Sequence, residues 1–282
     1  MARRPEHRGP PELFYNEDES RKYTVNSRMI QIQMQMAERA LELLALPDDQ
    51  PSYILDVGCG SGLSGEVLSE AGHCWVGVDI SRHMLAVAQE REVEGDLFLH
   101  DMGEGLGFRA GTFDGVISVS ALQWLCNADR KTQHPPKRLH SFFSSLYACM
   151  ARGAKAVFQF YPENPDQMEL ITQQAMRAGF TGGVVIDYPN STRAKKIFLC
   201  LFSGGAPSSL PKALGVDAVE GSREDQASFI GARRSLKRKG RGRVPIKSRE
   251  WILEKKERAK RQGMTYVKLN SKYTGRKRKP RF

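Results

Sequence analysis

Three glycines, Gly58, Gly60 and Gly62, stand at alternate positions at the end of the apolar run in YILDVGCGSG, residues 53–62. Glycine lets a backbone turn tightly and approach a ligand closely, and the carboxyl end of a central strand is where open α/β sheets bind ligands. A second apolar run, HCWVGVDIS, ends in Asp79, about 20 residues past the loop, the offset at which a carboxylate takes both hydroxyls of a ribose. A third, LFLHDM, ends in Asp101, where a carboxylate can accept from an adenine amino group while Met102 packs on the ring.

The dinucleotide fingerprint asks for Gly or Ala three positions after its second glycine, and Leu63 stands there. The pattern is D-x-G-x-G-x-G, beginning at Asp56. Nicotinamide and flavin dinucleotides need a helix N-terminus for their pyrophosphate. S-adenosylmethionine has no phosphate, and its cationic sulfonium favours nearby carboxylates. The loop therefore points to S-adenosylmethionine, with Asp56, Gly58, Cys59, Gly60, Gly62, Asp79, Ile80, Asp101, Met102 and Ser118 as the residues expected around it.

The elements that must position these residues follow from the hydrophobic pattern. Apolar residues at helical spacing from Tyr15 to Leu46 predict one or two helices before the first strand. Seven β-rich runs follow: 52–57, 73–79, 97–100, 113–119, 154–161, 184–187 and 195–202. Helical stretches are expected at 63–71, 82–91, 122–127, 137–150 and 166–178. Such alternation predicts an α/β fold with a mostly parallel seven-stranded sheet covered by helices on both faces, Rossmann-like, with the last two strands antiparallel at an edge.

Charge divides the chain of 282 residues, whose net charge is +11. From residue 231 onward 21 Lys and Arg face three acids, which leaves 22 against 29 upstream; the tail carries +18 and the body −7. The expected organisation is a flexible N-terminus at 1–14, a globular domain at 15–203, a Gly, Pro and Ser-rich linker at 204–231, and a basic tail at 232–282 containing a helix from a Ser248 cap to Gln262. A body of that size can bury a core, which excludes a disordered chain or a disulfide-stapled mini-protein. No run is apolar enough for a membrane span or a signal peptide, so a soluble intracellular protein is expected. Five cysteines without C-x-x-C spacing and six histidines without an H-x-x-x-H pair suggest no metal site.

The stretches PELFY, LDVGCGSGLSGEVLSEAGHCWVGVDIS, GDLFLHDMGEG, TFDGVISVSALQWLCNADRK, QFYPEN, VVIDYPNS, WILEKKERAKRQG and YTGRKRKPRF resemble the eukaryotic small-subunit (18S) ribosomal RNA guanine-N7 methyltransferases, class I methyltransferases by fold. The resemblance implies methylation of a guanine in 18S rRNA during assembly of the small subunit, and hence a nuclear location. It also implies a small zinc-binding activator protein as partner, for which the third strand, 96–101, offers an apolar edge.

Guanine N7 carries an exposed lone pair, so its methylation requires placement rather than a general base. The absence of an N-P-P-Y tetrapeptide and of paired catalytic cysteines leaves N7 ahead of exocyclic nitrogens and ring carbons as acceptor. Residues after the fourth and fifth strands would border the methyl group: Trp124 or Tyr161 for stacking on a base, Gln123, Glu163 or Asn164 for bonding its edge. Trp124 fits a core aromatic equally well. In the tail, Arg233, Arg234, Lys237, Arg238, Lys239, Arg276, Lys277, Arg278 and Lys279 suit RNA phosphates or nuclear import, and the two uses are compatible. Two other readings compete: a small-molecule methyltransferase, for which the body alone would suffice, and an assembly factor that retains the fold without essential catalysis.

Overall fold

The computed structural model describes residues 4–47, 50–130, 132–191, 194–204, 210–215, 249–261 and 270. The chain divides into two units, Met1–Ser222 and Arg223–Phe282. In the first, α1 (Pro11–Phe14), α2 (Glu17–Val25) and α3 (Ser27–Leu44) lead into β1 (Tyr53–Val57), α4 (Leu63–Glu70), β2 (Cys74–Asp79), α5 (Arg82–Glu90), β3 (Asp96–Leu99) and β4 (Phe113–Val119). A 3-10 turn at Leu122–Cys126, α6 (Pro135–Cys149), β5 (Met150–Phe160), α7 (Pro165–Arg177), β6 (Thr181–Asp187) and β7 (Lys196–Phe202) complete it. The second unit contributes α8 (Arg249–Arg261).

The seven strands form one sheet in the order β3-β2-β1-β4-β5-β7-β6. All neighbours from β3 to β5 pair in parallel, whereas β7 runs antiparallel to both β5 and β6. The chain winds outward in one direction from β1 and then in the other from β4. Between them lies the switch point at whose carboxyl end such sheets bind ligands.

The apolar periodicity puts the core where the sheet needs cover. On one face, Phe142, Phe143 and Leu146 of α6 pack with Phe113, Phe158 and Phe160; on the other, Ala40, Leu43 and Leu44 of α3 pack with Ile54, Ile117 and Val157. Trp75 of β2 lies against Gly65 and Gly95, where any Cβ would stand 2.1 and 2.3 Å from its ring, so both positions need glycine for space. Asn26 caps α3, its Oδ1 accepting from the Met29 N–H at 3.2 Å, and Ala45 ends it in the left-handed region at φ 47°.

Several expectations are corrected. Residues 4–14, expected to be flexible, are folded onto the body: Arg4 donates to the carbonyls of Tyr161 and Pro162, and Glu12 pairs with Arg130 at 3.1 Å. The helix expected at 122–127 is a 3-10 turn, and β5 starts at Met150 rather than residue 154. Within the expected linker, the described stretch 210–215 is fastened to the domain. Asp187 takes the Leu214 N–H at 2.8 Å, and Arg39, bound to Asp187 at 2.8 Å, also donates to the Lys212 carbonyl. Ser248 and the nine tail residues proposed for RNA lie outside the described residues. Among the described residues no helix is long and apolar enough to cross a membrane, and no cluster of His, Cys, Asp and Glu could hold a metal ion.

Candidate cofactor and substrate site

At the carboxyl ends of β1, β2 and β4 lies a cleft enclosing about 930 Å³, its solvent mouth included. The glycine loop forms its floor. Gly58, Gly60 and Gly62 all have φ between +54° and +79°. At Gly58 a Cβ would meet that of Ala121 at 2.3 Å, so the position excludes any side chain. The N–H groups of Gly58 and Cys59 both reach the Val78 carbonyl, at 2.7 and 3.2 Å, which binds the loop to the end of β2.

Asp79 is engaged by the same loop. Its two oxygens accept the N–H groups of Gly60 and Ser81, each at 2.8 Å, which fixes the carboxylate while leaving lone pairs for further donors. Burial raises its pKa, opposed by these backbone hydrogen bonds. Asp56 is fully buried beneath the loop; its Oδ2 accepts from Ser64 Oγ at 2.5 Å and its Oδ1 has no partner. Burial pushes this carboxyl up to about 7.

Cys59, Ile80, Asp101 and Met102 line the cleft as expected. Burial also drives the Cys59 thiol well above its ordinary pKa, with Asp79 adding to it, which leaves a core thiol and no nucleophile. Asp101 is held by Arg138, whose guanidinium stands 2.7 Å from both carboxylate oxygens, and by the Gly103 N–H. Ser118 is corrected: it is 1% exposed within β4, its Oγ unpartnered, and Ser120 beyond the strand end lines the cleft instead. Ser120 sits at φ 61°, its Oγ donating to Gln159 and accepting from Gln33 at 3.4 Å.

Beside the cleft lies a second cavity of about 1450 Å³, open to solvent, which shares Tyr15, Tyr23, Gln33, Ser120 and Trp124 with it. Trp124 is buried, with the rings of Phe14 and Tyr15 at 6.0 and 5.9 Å; it is both a packed aromatic and a wall of the two spaces. Tyr161 lines the second cavity with Lys196 5.6 Å from its ring centre. Arg4 and Lys196 give that cavity a cationic rim, and Lys22 beside them is paired with Glu19 at 2.8 Å.

The edge-bonding candidates fare differently. Asn164 caps α7, its Oδ1 accepting from the Gln167 N–H at 2.8 Å, and lines neither space. Glu163 pairs with His7 at 3.2 Å and borders a small separate pocket. Gln123 lines the large cavity, but its amide is already committed: Nε2 donates to Glu6 at 3.0 Å and to the Ser120 carbonyl at 2.9 Å, and Oε1 meets the Tyr161 N–H at 3.5 Å.

Sequence reasoning missed Glu6, Tyr15, Tyr23, Gln33, Ser120 and Arg138. Tyr15 carries the one available signal, as the end of PELFY. Its carbonyl accepts from Ser81 Oγ at 2.9 Å, which ties the N-terminal segment to the Asp79 turn. The Tyr15 and Tyr23 phenols are pushed up by burial and stay protonated at neutral pH. The site thus has a cleft with Asp79 and Asp101 at successive strand ends and a neighbouring aromatic cavity that shares Tyr15, Tyr23, Gln33, Ser120 and Trp124 with it.

Residues 54–134 match a family described as a methyltransferase domain, and residues 201–280 match one described as a methyltransferase involved in Williams-Beuren syndrome. Among solved structures, a SAM dependent methyltransferase from Aquifex aeolicus superposes at a TM-score of 0.50 with 15% identity, covering 67% of this chain and 99% of that one; this likeness concerns the fold. Among curated proteins, the 18S rRNA (guanine-N(7))-methyltransferase of Mus musculus is 61% identical, covering 100% of this chain and 99% of its own length. The Arabidopsis thaliana protein of that description is 52% identical with full coverage of both. The 18S rRNA (guanine(1575)-N(7))-methyltransferase of Saccharomyces cerevisiae is 50% identical over 99% of each chain. With a class I fold, the complete glycine loop and half or more of its residues shared across almost its whole length with these relatives, the chain belongs to the 18S rRNA (guanine-N(7))-methyltransferase family.

Proposed function

We propose that this protein transfers a methyl group from S-adenosylmethionine to N7 of one guanine in 18S rRNA during small-subunit assembly in the nucleus. The observation that carries the reading is the shared wall of the two spaces: Tyr15, Ser120 and Trp124 line both a cleft holding Asp79 and Asp101 and an aromatic cavity with Arg4 and Lys196 among its lining. The cleft fits the cofactor. Asp79 retains lone pairs that would take ribose hydroxyls, Asp101 and Met102 would hold the adenine, and the loop at Gly58 and Gly60 admits close approach because no Cβ intervenes.

When bound, S-adenosylmethionine supplies a methyl carbon on a cationic sulfur that leaves as a neutral thioether. The chain's part is to hold a splayed-out guanine against the shared wall with N7 toward that methyl, a positioning task requiring no general base. The tail's Lys and Arg residues supply phosphate affinity with a steep salt dependence, and its basic clusters serve nuclear import. Tritium transfer to small-subunit RNA, followed by borohydride and aniline cleavage, tests the reaction. A single cleavage that disappears in Asp79→Lys is expected. Cofactor binding without any transfer would move the role to assembly alone.

A zinc-binding activator protein is the proposed partner, seated on β3. That strand ends the sheet, and its Phe98 and Leu99 are 48% and 60% exposed, an apolar edge suited to strand addition. Leu99→Lys should abolish co-purification with the activator; an unchanged, soluble heterodimer would place the partner elsewhere.

A further inference from the structure

We propose that Glu6, on the N-terminal segment, reads the Watson–Crick edge of the target guanine and stabilises the positive charge that the purine acquires. The inference rests on the guanine-N7 reading above and adds the residue that selects guanine.

The geometry of the two spaces orients the base. The walls shared with the cofactor cleft must face N7. Glu6, Gln123 and Tyr161 line the large cavity but not the cleft, so they stand outside the space of the methyl donor. N7 lies on the imidazole side of guanine; N1–H and the N2 amino group lie on the opposite, pyrimidine side. A base presenting N7 to the cleft therefore turns two adjacent N–H donors toward the walls that Glu6 shares.

A carboxylate is the side chain that takes two parallel N–H groups, and it discriminates against adenine, which offers an acceptor at N1 and no amino group at C2. Glu6 is half-buried, and among the described residues no cation lies within ion-pair distance of it. Glu19, the other carboxylate of the cavity, is neutralised by Lys22 at 2.8 Å. Gln123 Nε2 donates to Glu6 Oε1 at 3.0 Å and to the Ser120 carbonyl, which makes Gln123 a positioning residue and leaves Oε2 and a second lone pair on Oε1 of Glu6 for the two N–H groups.

The same contact strengthens as the reaction proceeds. The N7 lone pair becomes the new N–C bond while the pair of the breaking S–C bond stays on sulfur, so the positive charge passes from sulfonium to purine. N1–H and the amino group become stronger donors as that happens. A carboxylate on them binds the transition state more tightly than neutral guanine, which is the condition for raising rate rather than affinity alone.

The test titrates the full-length chain, with its activator if solubility requires it, with guanosine, inosine, adenosine and 7-methylguanosine in the presence of S-adenosylhomocysteine at mildly acidic pH. Wild type should bind 7-methylguanosine best, then guanosine, then inosine, which lacks the amino group, with adenosine weakest. Glu6→Gln should lose about tenfold or more on 7-methylguanosine and bring guanosine close to inosine, while Glu6→Asp keeps guanosine ahead of adenosine. Equal binding of the four nucleosides, no binding, or an intact guanosine preference in Glu6→Gln would overturn the proposal. Loss of S-adenosylhomocysteine binding in Glu6→Gln would also overturn it, by assigning Glu6 to holding its segment in place. Should Asp79-dependent methylation of small-subunit RNA persist alongside such a result, only the role of Glu6 falls; should no guanine be methylated, the underlying reading falls as well.

Discussion

The walls around Asp79 and those around Glu6 belong to two neighbouring spaces with five residues in common, yet they are assembled by different means. The first come largely from residues 56–102, one stretch of alternating strands and helices in which the glycine loop and Asp79 fix each other; Gly60 and Asp79 are 19 positions apart and hydrogen bonded. The second gathers the N-terminal segment, the Leu122–Cys126 turn and the ends of β5 and β7. Glu6 and Gln123 are separated by 117 positions and Arg4 and Tyr161 by 157. On the function proposed above, a cofactor common to many methyltransferases would be held by the part of the fold they share, and the acceptor by segments laid over that frame. The two ends can therefore be perturbed separately.

Gly58→Val should have the largest effect. The new side chain must enter the space of Ala121 from a backbone at φ 74°, and cofactor affinity should fall by about a hundredfold or more, measured by calorimetry. Because Ala121 adjoins the turn carrying Trp124, this variant damages both ends and marks their junction. Trp124→Ala should separate them: stacking on the acceptor is lost, kcat/KM on small-subunit RNA falls about tenfold to a hundredfold, and cofactor affinity changes severalfold at most. Equal losses at both ends would dissolve the distinction.

The smallest expected effect belongs to Asp56 and concerns pH. Its pKa is raised to about 7 in the folded protein by burial, so the native state holds this proton more tightly than the unfolded chain. The stabilisation is complete below the ordinary carboxylate pKa and is lost as pH rises through about 7. Asp56→Asn keeps an acceptor for Ser64 and removes the titration. The wild-type thermal midpoint should therefore fall relative to the variant's by a few degrees between about pH 5 and pH 8. A constant difference would show that Asp56 stays charged throughout.

Legibility followed the same division. The seven strands of a mostly parallel sheet, the glycine loop and the positions of Asp79, Asp101 and Met102 could be read because alternating patterns and fixed offsets are local properties. Residues 4–14 read as flexible because a short Pro-rich segment has no apolar periodicity; its order comes from contacts with Tyr161, Gln123 and Arg130 that no window of sequence contains. Asn164 and Glu163 follow β5 as read from the sequence, but Asn164 caps α7 and Glu163 pairs with His7, since a residue after a strand can cap the next helix as readily as face a ligand. Ser118 missed by two positions, because where β4 ends and which side chain turns into the cleft depend on its pairing with β5.

By itself the sequence determined the frame and the cofactor: hydrophobic alternation dictates a parallel sheet, and three glycines followed by two spaced carboxylates dictate what its carboxyl edge can hold. Only the tertiary structure decided which side chains from distant segments meet around the two spaces. Arg138 on Asp101, Gln123 on Glu6 and Tyr15 on Trp124 are meetings of segments that fold separately and pack afterwards. Their chemistry depends on distances of about 3 to 6 Å, set by how whole elements lie on the sheet rather than by the order of residues along the chain.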